Sequence, residues 1–322
     1  MNTSELRDGL EAQQVWIYFA AVIVATAIGF VIPGTAVLES AINPALALML
    51  FVTFLQVPVA ALGRALQELR FLGTLLAVNF IAVPLLVLGL MQFLPADPLI
   101  RLGVLMVLLC PCIDYVVTFA HLGRADARLL LASTPVLLIA QMALLPIYLR
   151  LFLGAEAAAY VQPGPFIHAF VWLIAIPFVL AALVQTWAAR SKTGERVSSG
   201  LGLAPVPATA LVLFIVVAAV MPQLGQTLDR TLNVVPVYVA FSVLAPLIGW
   251  AVSRLARLTP EAGRAVAFSA GTRNSLVVLP LALVVPGAIP LVPAIIVTQT
   301  LIELLAELVY IRGIPGLGRR PA

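Results

Sequence analysis

Four ionisable side chains interrupt long apolar stretches of the sequence: Asp114, Arg273, Glu303 and Glu307. A charge at the centre of a membrane-spanning helix costs about 2.5 to 3.5 kcal/mol on insertion scales, so each needs a task or a partner. Asp114 is a candidate proton-binding or solute-coupling carboxylate, and Arg273 a candidate for controlling its ionisation or attracting an anion. The same pair would also serve as a permanent ion bridge, and loss of one member would then cost about 3 to 5 kcal/mol. Glu303 and Glu307 are four residues apart and share a helix face. Glu303 lies deeper and is a second candidate coupling carboxylate, whereas Glu307 is near enough to a helix end to snorkel. Cys112 offers a soft thiolate suited to trivalent arsenic, or else a small apolar side chain. Cys110 lies two residues away, too close for an ordinary disulfide, and the intervening Pro111 works against a two-sulfur grip. Thr272, Asn274 and Ser275 flank Arg273 and are candidate polar contacts for a solute. Asn79, Thr118, Ser133, Thr134, Gln141 and Gln299 fit either a cavity lining or helix–helix hydrogen bonds. His121 and His168 have no second metal ligand at helical spacing. No metal-protease, phosphate-loop or nucleophile-elbow pattern occurs, so no metal, cofactor or enzymatic activity is expected. Without a nucleotide site, pumping must be secondary, or the solute simply equilibrates.

The elements that must hold these residues follow from composition. Of 322 residues, 62% are hydrophobic and 10% charged, with a mean hydropathy of +1.12. Soluble domains carry roughly 25% charged residues. So much apolar surface cannot be hidden in a water-soluble globule of this length. That argues against a soluble enzyme, a disordered chain and a nucleic-acid binder, and makes the lipid bilayer the solvent for most of the chain. Spans need about 20 mostly apolar residues each. Ten are expected, at roughly Val15–Ile32, Pro44–Leu62, Phe71–Leu94, Leu102–His121, Leu129–Leu153, Phe166–Ala189, Ala204–Met221, Val234–Leu255, Arg264–Val285 and Pro290–Ile311. The first 13 residues are polar, with no basic n-region, so no cleaved signal peptide is expected.

Sorting the segments between spans alternately to two sides puts fourteen basic residues on one side, from Arg7 to Arg320. Only Arg101, Arg150 and Arg230 fall on the other. This asymmetry predicts that both termini are cytoplasmic in a multi-pass protein of the inner (cell) membrane. It also accounts for the net charge of +4 without an acidic partner.

Ten spans divide into five and five, and an odd number per half inverts equivalent helices, as in inverted-topology repeats. The expected organisation is a tail (1–13), a first repeat with spans 1 to 5 (14–153), a linker (154–165), a second repeat with spans 6 to 10 (166–312) and a tail (313–322). The fourth span is interrupted at Cys110-Pro111-Cys112-Ile113-Asp114 and the ninth at Ser269-Ala270-Gly271-Thr272-Arg273-Asn274-Ser275. Irregular backbone at membrane depth is tolerated where it is buried in protein or lines a cavity, so two interruptions in corresponding places point to a transport site.

On these interruptions the chain resembles the bile acid/sodium symporter superfamily over essentially its whole length. The resemblance implies an all-α membrane protein with ten helices in two inverted five-helix repeats and broken, crossing helices 4 and 9. It further implies a panel of spans 1, 2, 6 and 7 that moves against a core of spans 3–5 and 8–10. The arsenite-efflux permease branch is similar in more detail. Cys112-Ile113-Asp114-Tyr115-Val116 fits its Cys-Ile-x-x-Val frame, Leu301-Ile302-Glu303 its tenth-span Leu-Ile-Glu stretch, and Thr272-Arg273-Asn274 part of its ninth-span break. Sodium-coupled members carry a Glu and a Gln at that break; here there is no acid and a guanidinium stands in the stretch. A fixed cation would repel sodium by about 4 kcal/mol at 4 Å and an effective dielectric near 20, which argues against sodium coupling there. Arsenite permeases also carry a ninth-span Glu, so Asp114 or Glu303 would have to take over its role.

The function expected from these features is secondary-active transport of a small-molecule or oxyanion solute, of the arsenite-efflux type and coupled to protons. Cys112 would touch the solute, and Asp114, Arg273 and Glu303 would handle charge. The alternative is a sodium-independent organic-anion transporter, for a carboxylate or a bile-acid-like molecule, with Arg273 as anchor. A membrane sensor or scaffold would be expected to carry a sizeable soluble output domain, which the sequence does not offer.

Overall fold

Large apolar side chains are exposed on this protein, and a smaller set of polar and charged ones is buried among its apolar core. Trp16, Val31, Ile81, Leu151 and Leu255 are exposed, whereas Asn79, Ser133, Thr134, Gln141, Arg273, Glu303 and Glu307 are buried. That arrangement is what a hydrocarbon solvent selects. The computed structural model describes residues 3–56, 68–113, 115–154, 163–224 and 228–318. Asp114, Arg64 and linker residues 155–162 lie outside that set.

Helices α1 (Thr3–Val31) and α2 (Glu39–Gln56) are followed by α3 (Leu69–Ala77) and α4 (Val83–Leu90), which are joined by a π-turn at Val78–Ala82. Next come α5 (Pro98–Leu108), α6 (Val116–Leu122) and the long α7 (Ala127–Leu153). The second half of the chain holds α8 (Pro163–Phe170) and α9 (Ile176–Ala188), joined by a π-turn at Val171–Ala175, then α10 (Lys192–Leu201), α11 (Pro205–Leu224) and α12 (Leu228–Leu232). It ends with α13 (Val235–Leu255), α14 (Pro260–Gly271), α15 (Ser275–Leu283) and α16 (Leu291–Gly313). No strand occurs among the described residues.

Among the described residues, seven helical stretches are long and apolar enough to cross a membrane. The other three expected segments are each built from two shorter helices: α5 with α6, α8 with α9, and α14 with α15. The fourth and ninth segments break where the sequence interruptions stand, whereas the π-turn in the sixth was not foreseen. The helix expected from residue 166 begins at Pro163, inside the expected linker. Helix starts follow local chemistry. Asp97 accepts hydrogen bonds from the Leu99 and Ile100 amides at 2.9 and 3.3 Å ahead of α5, with Pro98 as its first residue. Asp126 caps α7 in the same way, and Thr259 with Pro260 starts α14.

The chain divides into two compact units, each discontinuous in sequence. The first comprises Met1–Pro58, Gln162–Leu228 and Leu279–Ala294. Within it α11 packs on α1 and α2, and α9 on α2 and α10. Gly29 lets α1 meet α11 closely, since a Cβ there would come within 2.7 Å of Met221 Cβ.

The second unit comprises Val59–Val161, Asp229–Val278 and Ile295–Ala322. It takes in the segments expected as spans 3–5, 8 and 10 and the ninth up to Val278, while the ninth after Val278 groups with the first unit. Here α14 sits at the centre, packed on α13, α6, α7 and α3. Its approach to α13 depends on Gly249, where a Cβ would lie 2.8 Å from Ala270 Cβ and 3.1 Å from Ala267 Cα. Small residues of this kind let membrane helices approach.

Gly249→Val is therefore expected to lower stability by about 1 to 3 kcal/mol through overpacking. Gly73→Ala, at an exposed position of α3 with open space around it, should leave the protein at least as stable. Thermal unfolding of the two purified variants in detergent checks the contrast.

Candidate functional site

Two helices of the second unit stop in the interior and their chain ends cross. Helix α5 ends at Leu108. Pro111, which has no amide hydrogen, ends the pattern three residues later. Helix α14 ends at Gly271, after which Thr272 turns extended with φ −103° and ψ 127°. Residues 110–112 and 272–274 then run antiparallel. The Cys112 amide donates to the Thr272 carbonyl at 3.1 Å, and the Asn274 amide to the Cys110 carbonyl at 2.8 Å. This two-bond ladder satisfies backbone groups that have no water to turn to.

Arg273 lies within the crossing and is fully buried. Its guanidinium Nη2 donates to the Ser269 carbonyl at 2.5 Å, the Ala270 carbonyl at 2.8 Å and Asn79 Oδ1 at 2.9 Å. Nη1 donates to the Leu108 carbonyl at 3.3 Å. Three of these acceptors are carbonyls of the last turns of α5 and α14, which otherwise have no helical donor. The face of Phe241 lies 5.4 Å from the guanidinium carbon and adds a cation–π contact. Asn79 is held by bonds from its Nδ2 to the Leu75 carbonyl at 3.0 Å and Ser269 Oγ at 2.9 Å. It sits in the π-turn between α3 and α4, a kind of irregularity frequent at functional sites.

Glu303 joins the crossing through its other groups. Its Oε2 accepts from the Arg273 backbone amide at 2.6 Å and from Gln299 Nε2 at 2.6 Å, and Oε1 accepts from the Tyr115 hydroxyl at 2.5 Å. Gln299 Oε1 accepts from Ser275 Oγ, which extends the network to the start of α15. One helical turn further along α16, Glu307 Oε1 meets the Thr272 hydroxyl at 2.5 Å. That hydroxyl also faces the Phe268 carbonyl at 2.7 Å, and its single hydrogen can serve only one of the two. Among the described residues, Arg273 Nε, Asn274 Nδ2 and Glu307 Oε2 are buried without a hydrogen-bond partner.

The structure thus brings Cys112, Thr272, Arg273, Asn274, Ser275 and Glu303 to one place. Asp114 lies outside the described residues. The described partners of the Arg273 guanidinium are neutral oxygens, and the expected pairing with Asp114 falls on a residue outside the described set. One sequence reading changes: Glu307 does not snorkel, since it is fully buried. Cys110 and Cys112 are buried and not in a disulfide. The sequence reading gave Tyr115 and Phe241 no site role; the place of Tyr115 next to Asp114 in the Cys-Ile-x-x-Val frame was the available clue.

The family model for the sodium bile acid symporter family matches residues 43–230, more than half of the chain. The chain belongs to that family. No curated protein matches it. The matched stretch contains the interruption at 110–113, and the one at 271–275 lies beyond it. Membership of a transporter family, together with the apolar helices, makes this a multi-pass membrane transporter that carries a small-molecule substrate through the bilayer, rather than an enzyme.

For this symporter-family chain the Glu303 network sets a stability test. Glu303→Gln keeps the shape but presents an amide where three donors converge, and should cost about 2 to 3 kcal/mol. Tyr115→Phe should cost about 1 to 2 kcal/mol. A double-mutant cycle read by thermal unfolding should show Tyr115→Phe costing far less in the Glu303→Gln background.

Proposed function

We propose that the chain is a secondary-active permease of the arsenite-efflux type, coupled to protons, in the inner membrane with both termini cytoplasmic. The observation that carries this reading is the antiparallel crossing of residues 110–112 and 272–274, with the Glu303 carboxylate bound to its backbone. A crossing of two broken helices, each with polar groups, is where a membrane transporter can bind a solute without lipid contact.

Support for the finer assignment comes from residue chemistry. Cys112 is anchored in the crossing by its own amide, and a thiol there suits trivalent arsenic as arsenous acid, which is neutral at pH 7. Asn274 and Ser275 supply polar contacts beside it. Glu303 and Asp114 are the proposed coupling carboxylates, and Glu307, buried at the same crossing, joins them. The two compact units supply the panel and core of an alternating-access cycle, in two inverted repeats of five spans. Sodium is not part of the reading, because the guanidinium of Arg273 already stands at the crossing. The organic-anion alternative needs that guanidinium to hold a carboxylate, yet its two terminal nitrogens already donate to four protein oxygens.

Proteoliposomes with an imposed pH gradient test the reading. Arsenite flux should follow the gradient without sodium, fall to background in Cys112→Ser and survive in Cys110→Ser. Asp114→Asn should abolish flux while the protein still accumulates in the membrane. Full arsenite flux in Cys112→Ser would remove the thiol mechanism. Carboxylate flux without arsenite flux would transfer the assignment to the organic-anion class.

A further inference from the structure

Five exposed arginines gather at one end of the second unit: Arg124, Arg128, Arg254, Arg257 and Arg312. Hydrogen bonds between their chain segments hold that end together. The buried Arg264 of α14 donates from Nη1 to the Arg124 carbonyl and from Nε to the Leu317 carbonyl, each at 3.1 Å. The Asp126 amide donates to the Glu261 carbonyl at 3.0 Å. These bonds join the loop after α6, the first turn of α14 and the chain leaving α16. Trp250 of α13 belongs to the same group. The Arg254 guanidinium lies 5.6 Å from the centre of its ring, and a Cβ at Gly318 would come within 2.9 Å of that ring. Two acids share this end, Asp126, whose carboxylate caps α7, and Glu261 in the first turn of α14. Among the described residues none of the five arginines forms an ion pair, so positive charge prevails.

Three of the five occupy places where the fold alone would favour another residue. Helices α6 and α13 end in the same kind of turn. The Ala125 amide reaches back to the Ala120 carbonyl at 2.9 Å, and the Leu258 amide to the Ser253 carbonyl at 3.1 Å. The residue before each is left-handed, Arg124 with φ 54° and Arg257 with φ 56°. Glycine is the usual occupant there, because a Cβ is crowded in that conformation. Arg128 stands in the first turn of α7, where the helix dipole opposes a cation. Local stability therefore does not account for these three charges, and a ligand outside the fold does.

We propose that this end of the second unit binds the phosphate headgroup of an acidic phospholipid. The arginines stand at the ends of bilayer-crossing segments, which is the depth of headgroup phosphates, and a guanidinium fork grips phosphate oxygens in pairs. Leu122 and Leu255 are exposed one or two residues before the left-handed arginines and offer apolar side chains to the acyl side of the same boundary. Guanidinium above and leucine below match the two parts of one lipid. The inference goes beyond the transport reading and needs only that the chain spans a bilayer.

The test heats delipidated full-length protein in a neutral detergent with dioctanoyl phosphatidylglycerol, dioctanoyl phosphatidylcholine or inorganic phosphate, at equal ionic strength. Wild type should unfold about 3 °C or more higher in phosphatidylglycerol, saturably, and should not respond to the other two. Arg124→Gly with Arg257→Gly should be at least as stable without lipid, since glycine suits both turns, and should lose about half or more of that shift. Arg101→Gln with Arg150→Gln, at the opposite ends of the fourth and fifth spans, removes as many charges and should keep the whole shift. The proposal is overturned if wild type gains nothing from phosphatidylglycerol, or gains as much from phosphatidylcholine or phosphate. It is equally overturned if the glycine pair keeps the full shift or the two pairs lose it alike. Where the glycine pair is not recovered, Arg254→Gln with Arg312→Gln takes its place under the same criterion. A failure here leaves the flux reading intact, and a failure of arsenite flux leaves the lipid site intact.

Discussion

A half-helix that ends inside a membrane protein leaves its last carbonyls without donors, and two such ends meet at one point here. Each buried, unsatisfied carbonyl would cost about 1 to 3 kcal/mol. The structure answers with two kinds of donor. Backbone amides of Cys112 and Asn274 cross-bond the unwound strands, and the guanidinium of Arg273 serves the last turns of both helices. A cation at a helix C-terminus gains about 0.3 to 2 kcal/mol per helix, and Arg273 collects that from two. The cost of placing a charge in the interior is thereby offset by the defect that the charge repairs.

That arrangement explains why the nearest described acid takes the position it does. If Glu303 had paired with the guanidinium, the carbonyls of Leu108, Ser269 and Ala270 would have lost their donor. Instead the carboxylate binds the peptide amide of Arg273 and is held by Tyr115 and Gln299. Helix α16 is thus tied to the crossing by a carboxylate at one turn and by Glu307, through Thr272, at the next. The spacing of four residues puts both on the face toward α14.

The parts of this that the sequence disclosed are those governed by transfer energy. A charge in an apolar run is costly enough to mark Arg273 and Glu303 as members of one site, and proline and glycine within spans mark the breaks. The partners of Arg273 were not legible, because backbone carbonyls are present at every residue and carry no signature of which ones a fold will leave unpaired. Glu307 misled because distance along the chain from a helix end was read as distance from the surface. In the structure α16 runs on to Gly313, and Tyr310, bonded to the Ser242 carbonyl, stands between Glu307 and that end. The π-turns at 78–82 and 171–175 each end two residues before a proline, Pro84 and Pro177, whose missing amide hydrogen interrupts the helical ladder. The division into two units is set by contacts between distant segments, so a linear reading into halves and a contact-based grouping describe different properties of the same chain.

Charge balance joins the crossing to transport. The described cluster holds one guanidinium and two carboxylates, all fully buried. With both acids ionised it carries an excess negative charge, and in a medium of low dielectric such an excess is opposed far more strongly than in water. Neutrality of these described groups requires one further positive charge. The hydrogen-bond geometry has a place for a proton at Glu307, whose Oε2 has no described donor and whose Oε1 faces a hydroxyl with one hydrogen between two acceptors. Arg273 therefore supplies the fixed part of the cluster's positive charge, and in the proton-coupled cycle proposed above the remainder would be the charge that exchanges.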